Sequence, residues 1–314
     1  HELTGGGMAG GAWGAMQNEA AGRAVMPGEG GVKVSSSTAD IGTGTYTAMS
    51  QIAADALGVS IHDVTFELGD TRLPKAPIEG GSWTVSSVGS AVDVVCKRLH
   101  NRLVDLALQY GGERFTTAAR DSIRRSGDRL ICGTSADDAI SIDELFNRAG
   151  IDKLDEQASV KPHEKQQAYS MGTHSAVFAE VRVDETLGTV RVTRVVSAIA
   201  AGRIVNPKTA ANQIAGGVVW GISMALHEHG QFDHALGRQM NHNFSEYHVP
   251  VNADIHDIDV LFVDEHDDIV NPLGAKGVGE IGVVGVAAAV SNAVWHATGK
   301  RVRALPITLD KLLG

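Results

Sequence analysis

Asn271 to Lys300 reads N-P-L-G-A-K-G-V-G-E-I-G-V-V-G-V-A-A-A-V-S-N-A-V-W-H-A-T-G-K, and the reading of this stretch decides the fold. Pro272 with Gly274, Gly277 and Gly279 describes a loop whose backbone can approach a neighbour closely. From Ile281 the chain turns apolar and helix-compatible, which places Glu280 at a loop-to-helix junction. A carboxylate there suits two roles: a first-turn acid facing the positive end of a helix dipole, or a catalytic base beside something bulky that the glycines leave room for. Gly277 to Gly282 also matches G-x-G-x-x-G, a fingerprint with physical content only directly after a strand, at the opening of a helix, with a ribose-binding acid about 20 residues on. Here the nearest candidate strand, Ile258 to Val263, lies beyond a polar loop containing Pro272. Lys300, Arg301 and Arg303 stand where the acid belongs, and Glu280 would set a negative charge against a pyrophosphate. A nicotinamide-binding unit is set aside on those grounds.

With 314 residues the chain can bury a large core as one large domain or two. Its 37 glycines exceed the usual ~7% without a collagen-like period, so they read as tight backbone approaches within a packed fold. A net charge of -10 and the lack of a basic cluster argue against nucleic acid as a partner. Cys96 and Cys132 form no C-x-x-C pair and are too few for an iron-sulfur cluster, so both read as reduced core residues. The opening H-E-L-T-G-G-G-M-A-G-G-A has neither a basic nor an apolar signal region, and the apolar run Ile281 to Val290 is too short to span a bilayer. The expected compartment is the cytoplasm, or the periplasm if the chain is exported with a partner carrying the signal.

Along the chain, Gly31 to Thr38 reads as a strand running into the loop Asp40-Ile41-Gly42-Thr43-Gly44-Thr45, and the apolar spacing of Met49, Ile52, Ala53, Ala56 and Leu57 predicts a helix that stops at Gly58. Strand, glycine loop and helix point backbone N–H groups at a helix start, which suits an anion, though many such turns bind nothing. Val64 to Leu68 is a second strand. After the loop containing Pro74 and Pro77, Val88, Val92, Val95, Leu99, Leu103 and Leu106 predict a long helix ending near Gly111. Ser82, Thr84, Ser86, Ser87 and Ser90 at its start are more hydroxyls than capping needs, so phosphate or pterin contact stands beside plain capping as a reading. Asp128 to Gly133 is a short strand, Ile140 to Ala149 a short helix, and Asp152 to Gln167 a poorly patterned surface connection. Ser175 to Val183 and Thr189 to Val196 alternate as a hairpin. Asn206-Pro207 opens a helix in which Gly216, Gly217 and Gly221 mark close packing or ligand approach. His227-Glu228-His229, His234, His242 and His248 lack metal-ligand spacing and read as surface or satisfied loop histidines.

Four of these pieces, Asp40 to Thr47, Gly80 to Thr84 with Ser86 to Ser90, Asn206-Pro207 followed by Gln213 to Gly217, and Gly274 to Glu280, resemble in order and spacing the molybdenum-binding subunit of the xanthine dehydrogenase and aldehyde oxidase family, especially its bacterial aldehyde oxidoreductase branch. The resemblance implies an α+β fold of the molybdopterin-binding type, mixed sheets packed with long helices. Two closely packed subdomains are expected, residues 1–170 with the pterin and phosphate loops and residues 171–314 with the catalytic acid. It makes Glu280 the active-site base. Cofactor contacts are implied for Ile41, Gly42, Thr43, Gly44 and Thr45, for Gly81, Ser82, Trp83, Thr84, Ser86, Ser87, Gly89 and Ser90, and for Lys276, Gly277, Val278 and Gly279. Gln213 is implied as a partner of the metal or pterin end.

The implied cofactor is a molybdopterin with molybdenum, in its cytosine dinucleotide form, whose dithiolene holds the metal without direct protein ligation. The implied reaction oxidises an aldehyde, or hydroxylates an N-heteroaromatic, with water-derived oxygen. Electrons leave to 2Fe-2S clusters and FAD on iron-sulfur and flavin partner subunits. The family's earlier half, with a glycine-rich F-G loop and much of the substrate funnel, has no match here, so a polypeptide supplying that N-terminal half is a further expected partner. Ala215 stands where related sequences often carry an acid. The rival reading is a non-catalytic remnant or assembly subunit that keeps the fold without a complete molybdenum site.

Overall fold

Two hydrophobic periods, one of two residues and one of three to four, resolve the chain into two principal sheets, each packed against helices. The computed structural model describes residues 1–133 and 138–313. The first part contains β1 (Glu2–Gly14), β2 (Ala20–Pro27), β3 (Val32–Ser35), α1 (Thr45–Leu57), β4 (Val64–Glu67), a π-helical turn (Val85–Gly89) and the long α2 (Ser90–Tyr110). It continues with α3 (Glu113–Thr116), β5 (Ile123–Ser126), β6 (Arg129–Cys132), β7 (Ala139–Ser141), α4 (Ile142–Ala149) and β8 (Lys153–Val160). The second part contains β9 (Gly172–Asp184), β10 (Val190–Ala200), α5 (Pro207–Leu226), the short pair β11 (Phe232–Asp233) and β12 (Arg238–Gln239), β13 (Asp257–Phe262) and α6 (Val286–Thr298).

One sheet has the order β4-β3-β2-β8, with β3 and β4 parallel across α1 and the other pairs antiparallel. Helices α1 and α2 bury Met49, Ile52, Leu99 and Leu103 against Met26 and Val34 of this sheet. The other sheet has the order β1-β9-β10-β13, in which the expected β9–β10 hairpin is extended by antiparallel β1 and parallel β13. Val177, Val181 and Val195 of this sheet form one core with Val218 and Ile222 of α5 and Val290 and Val294 of α6. The α+β class and the mixed sheets packed with long helices follow the sequence reading. Residues 2–14, within the segment expected as the first subdomain, pair along their full length with β9 and so belong to the sheet of the second.

Sequence patterning missed β1 because glycine and alanine carry its alternation. A Cβ on Gly5 would lie 2.1 Å from the carbonyl oxygen of Ala293, and one on Gly7 2.2 Å from that of Ala289. Helix α6 therefore rests directly on the β1 backbone, a seat that β-branched residues would deny it. β2 also went unread, although its inward residues are buried. The supposed connection after Asp152 is largely β8, whose alternation is thin because Leu154 and Ala158 are its only two buried residues. A larger correction concerns α6, which begins at Val286 rather than Ile281. Gly282 and Gly285 break the run, so residues 279–285 form turns and Glu280 is no first-turn acid. Cys132, the last residue of β6, is half-buried against the margin of the core rather than inside it; Cys96 is fully buried, and that burial, with the charge of Asp93, pushes its thiol up to about 12.

Candidate active site

A cavity of about 290 Å³ lies where four separated segments meet: residues 41–48, residues 79–85, residues 203–213 and residues 276–280. Its floor is set by α5. Asn206 caps that helix by accepting from the Thr209 N–H at 3.0 Å, and Pro207 supplies a first-turn φ without a lost donor. Gly217 then lets α5 lie against the turn that follows Glu280, since a Cβ there would sit 2.6 Å from the carbonyl carbon of Gly282. Gln213 lines the cavity from α5, and its side-chain amide has no hydrogen-bond partner among the described residues.

Glu280 lines the opposite wall, half-buried. Its Oε2 accepts a hydrogen bond from Ser82 Oγ at 2.7 Å. Ser82 has φ 62°, the one left-handed non-glycine among the described residues. That conformation costs a serine about 1 kcal/mol and persists only where surroundings enforce it. The enforcement is visible. A Cβ on Gly277 would lie 2.2 Å from the Ser82 carbonyl oxygen, so the two loops touch backbone to backbone. Thr173 Oγ1 meanwhile donates to the Gly277 carbonyl at 3.0 Å inside the protein. On the cavity side, Thr84 Oγ1 and Thr38 Oγ1 donate to the two oxygens of Glu79, at 2.8 Å and 3.1 Å.

The expected site residues divide clearly. Ile41, Thr43, Gly44, Thr45, Gly81, Ser82, Thr84, Gln213, Lys276, Gly277, Val278, Gly279 and Glu280 all line the cavity. Gly42, Trp83, Ser86, Ser87, Gly89 and Ser90 do not. Ser86 Oγ donates to the Met16 carbonyl at 2.7 Å, Ser90 Oγ to the Ser86 carbonyl at 2.6 Å, and Ser87 Oγ accepts from the Asn18 N–H at 2.9 Å. Ser86 and Ser87 thus fasten the buried start of α2 to the β1–β2 connection, while Ser90 bonds back to the preceding helical turn. Trp83 turns its indole N–H to the Ile78 carbonyl at 2.9 Å, and Gly89 admits the side chains of Ile52 and Leu273.

Two further departures change the chemistry. The N–H groups of Gly42 and Gly44 do not await an anion, because Asp40 Oδ1 already accepts both, at 2.9 Å and 3.2 Å, and its Oδ2 accepts Tyr46 N–H at 3.3 Å. Burial opposes ionisation of Asp40, but these backbone donors outweigh it and hold the carboxyl below its ordinary value. Lys276 lines the cavity with its stem while its ammonium reaches Glu265 at 2.7 Å and Asp267 at 3.0 Å. Burial works against that charge, yet the hydrogen bonds and charges of both acids raise the lysine above its ordinary value. Glu265 also accepts from the Gly202 N–H at 2.7 Å, which ties the base of the loop to β10. Asp40 and Glu79, unassigned by sequence reading, each stand just before a glycine pair or near one, the pattern that would have suggested a side chain closing its own loop.

A profile described as Molybdopterin cofactor-binding domain matches residues 2–256. The chain belongs to that family. The aldehyde oxidoreductase molybdenum-binding subunit PaoC of Escherichia coli K12 is 37% identical over 311 residues, which cover 99% of this chain and 40% of that protein. A putative xanthine dehydrogenase molybdenum-binding subunit, XdhA of the same strain, is 26% identical over 304 residues, covering 92% and 38%. Quinoline 2-oxidoreductase from Pseudomonas putida 86 superposes with a TM-score of 0.85 at 22% identity, over 99% of this chain and 41% of that one, a likeness of fold. The chain spans about 40% of the length of the Escherichia coli PaoC proteins it matches. Among the described residues no three of His, Cys, Asp and Glu come together as a metal site, and no helix is long and apolar enough to cross a membrane.

Proposed function

We propose that this chain carries the catalytic centre of a molybdenum hydroxylase that oxidises an aldehyde, with an N-heteroaromatic as the alternative substrate class. The observation that most supports this is the placement of Glu280 on a cavity shared by the glycine loops, the Ser82 turn and the Gln213 helix. The residues fit a molybdopterin in kind. Gln213 offers an unused amide, Thr43, Thr45 and Asn206 bring further hydrogen-bonding groups to the same wall, and most of the lining is apolar. By the family resemblance the metal is held by the dithiolene of the cofactor, in its cytosine dinucleotide form, without direct protein ligation.

Bound there, the cofactor supplies a Lewis-acidic centre able to take up two electrons. Glu280 is the general base, taking a proton as oxygen is delivered to the substrate carbon. Gln213 orients the metal-proximal end of the group, and the half-buried Val205 and Val278 help to exclude water around it. By the family resemblance, electrons leave to 2Fe-2S clusters and FAD on partner subunits. Most of the substrate funnel belongs to the part of the family's molybdenum subunit that this chain does not span.

The Glu280→Gln variant of the assembled enzyme should keep its molybdenum and pterin content while turnover falls at least ~10²-fold, as for loss of a general base. Near-normal turnover in the loaded variant would remove the role.

A further inference from the structure

We propose that Ser82 is the positioning residue of Glu280: its hydroxyl holds Oε2 and thereby reserves Oε1 as the oxygen that takes the proton. The inference rests on the reading of Glu280 as base. It begins from the 2.7 Å contact of Ser82 Oγ with Glu280 Oε2, while Oε1 has no hydrogen-bond partner among the described residues. A half-buried carboxylate on a loop has two equivalent oxygens and a freely turning terminal torsion. One charge-assisted donor removes that equivalence, fixing the carboxylate plane and leaving a single oxygen available.

The backbone around Ser82 serves the same end. At φ 62° a glycine would be more comfortable, and two glycines already precede it, so a serine here is explained by its hydroxyl rather than by the turn. Gly279 leaves room for that hydroxyl, since a Cβ there would come within 3.1 Å of Ser82 Oγ. Contact of Gly277 with the Ser82 carbonyl fixes the two loops in register, so the serine cannot drift from the acid without moving both backbones.

The test uses Ser82→Gly, which relieves the left-handed backbone and deletes only the hydroxymethyl group, beside Ser82→Ala, which keeps the strain. In the assembled enzyme, with an aromatic aldehyde as probe substrate, both variants should lose kcat about 10-fold or more while KM changes less than about twofold, since an interaction aligning a base acts on turnover. Cofactor content should stay at the parental level. An independent reading comes from carboxyl-carbon NMR of glutamate-labelled protein, with Glu280→Gln assigning the resonance. Ser82→Gly should shift that signal whether or not the enzyme turns over. Unchanged kcat in Ser82→Gly, or an unmoved resonance, overturns the positioning role. If Glu280→Gln itself retains turnover, the assignment of the base has failed instead, and the NMR result still reports on the contact.

Discussion

The loop Asp40 to Thr45 and the loop Gly274 to Glu280 border one cavity and look alike in sequence, yet they are held in opposite ways. The first closes on itself: Asp40 gathers the N–H groups of its own loop, and the Gly42 backbone at φ 97° faces open space. The second has Asn271 gripping Ala275 at its entry but is otherwise held from outside, by the Gly202 bridge to Ala275, by Thr173 on the Gly277 carbonyl, by the Lys276 ion pairs and by Ser82. Glycine supplies a conformation in the one and a contact distance in the other. A loop fixed by its own side chain tolerates change at its neighbours, whereas a loop fixed by its neighbours transmits every change to the carboxylate it carries.

That contrast can be broken by substitution. Lys276→Met should have the largest effect on stability, about 3 kcal/mol, because Glu265 and Asp267 are left facing each other without their shared cation. Urea denaturation would read it, and a loss below about 1 kcal/mol would mean that the outer bracing is dispensable. Gly277→Ala should cost about 2 kcal/mol and most of the turnover, since its methyl group would meet the Ser82 carbonyl and push the serine from the acid. Retained activity in that variant would contradict the account of the second loop.

Asp40→Ala should cost about 1 kcal/mol at neutral pH. Because the folded carboxyl is held below its ordinary value, its contribution is complete above the ordinary carboxylate range and disappears as pH falls through the folded value. The denaturation midpoints of parent and variant should therefore converge on acidification below about pH 4. Divergence instead would show that the self-closing loop is not held by the charged form. Gly42→Ala should likewise cost about 1 kcal/mol, for the left-handed backbone, and leave turnover within about twofold, measured on the loaded enzyme.

Much of this was readable before the structure. The helices over Thr45–Leu57, Ser90–Tyr110 and Pro207–Leu226 announce themselves by their apolar spacing, reinforced in the last by its Asn206 cap and Pro207. β1 was not readable, because a strand built from glycine shows its inward face only when α6 is seen lying on it. The start of α6 was misjudged because apolar Val283 and Val284 look helical while the flanking glycines turn the chain. At the cavity, the motifs identified which segments meet, but motif membership did not separate Ser82 and Thr84, whose side chains border the space, from Ser86, Ser87 and Ser90, which fasten the helix behind it. Hydroxyl count is a property of sequence; the direction of each hydroxyl depends on what packs against it.

The seating of α6 on β1 carries a consequence for biosynthesis. Gly6 N–H donates to His296 Nδ1 at 3.0 Å and Asn292 donates to the Met8 carbonyl at 2.9 Å, contacts that join positions nearly 300 apart in this sequence. Gly11 reaches the turn that follows Glu280 as well, where a Cβ would lie 2.8 Å from the Val284 carbonyl oxygen. A chain emerging from the ribosome can fold its α1–α2 layer early, but it cannot brace that turn until α6 has left the exit tunnel. Ordering of the turn beside Glu280 is consequently a late step of folding, taken after the α1–α2 layer has formed.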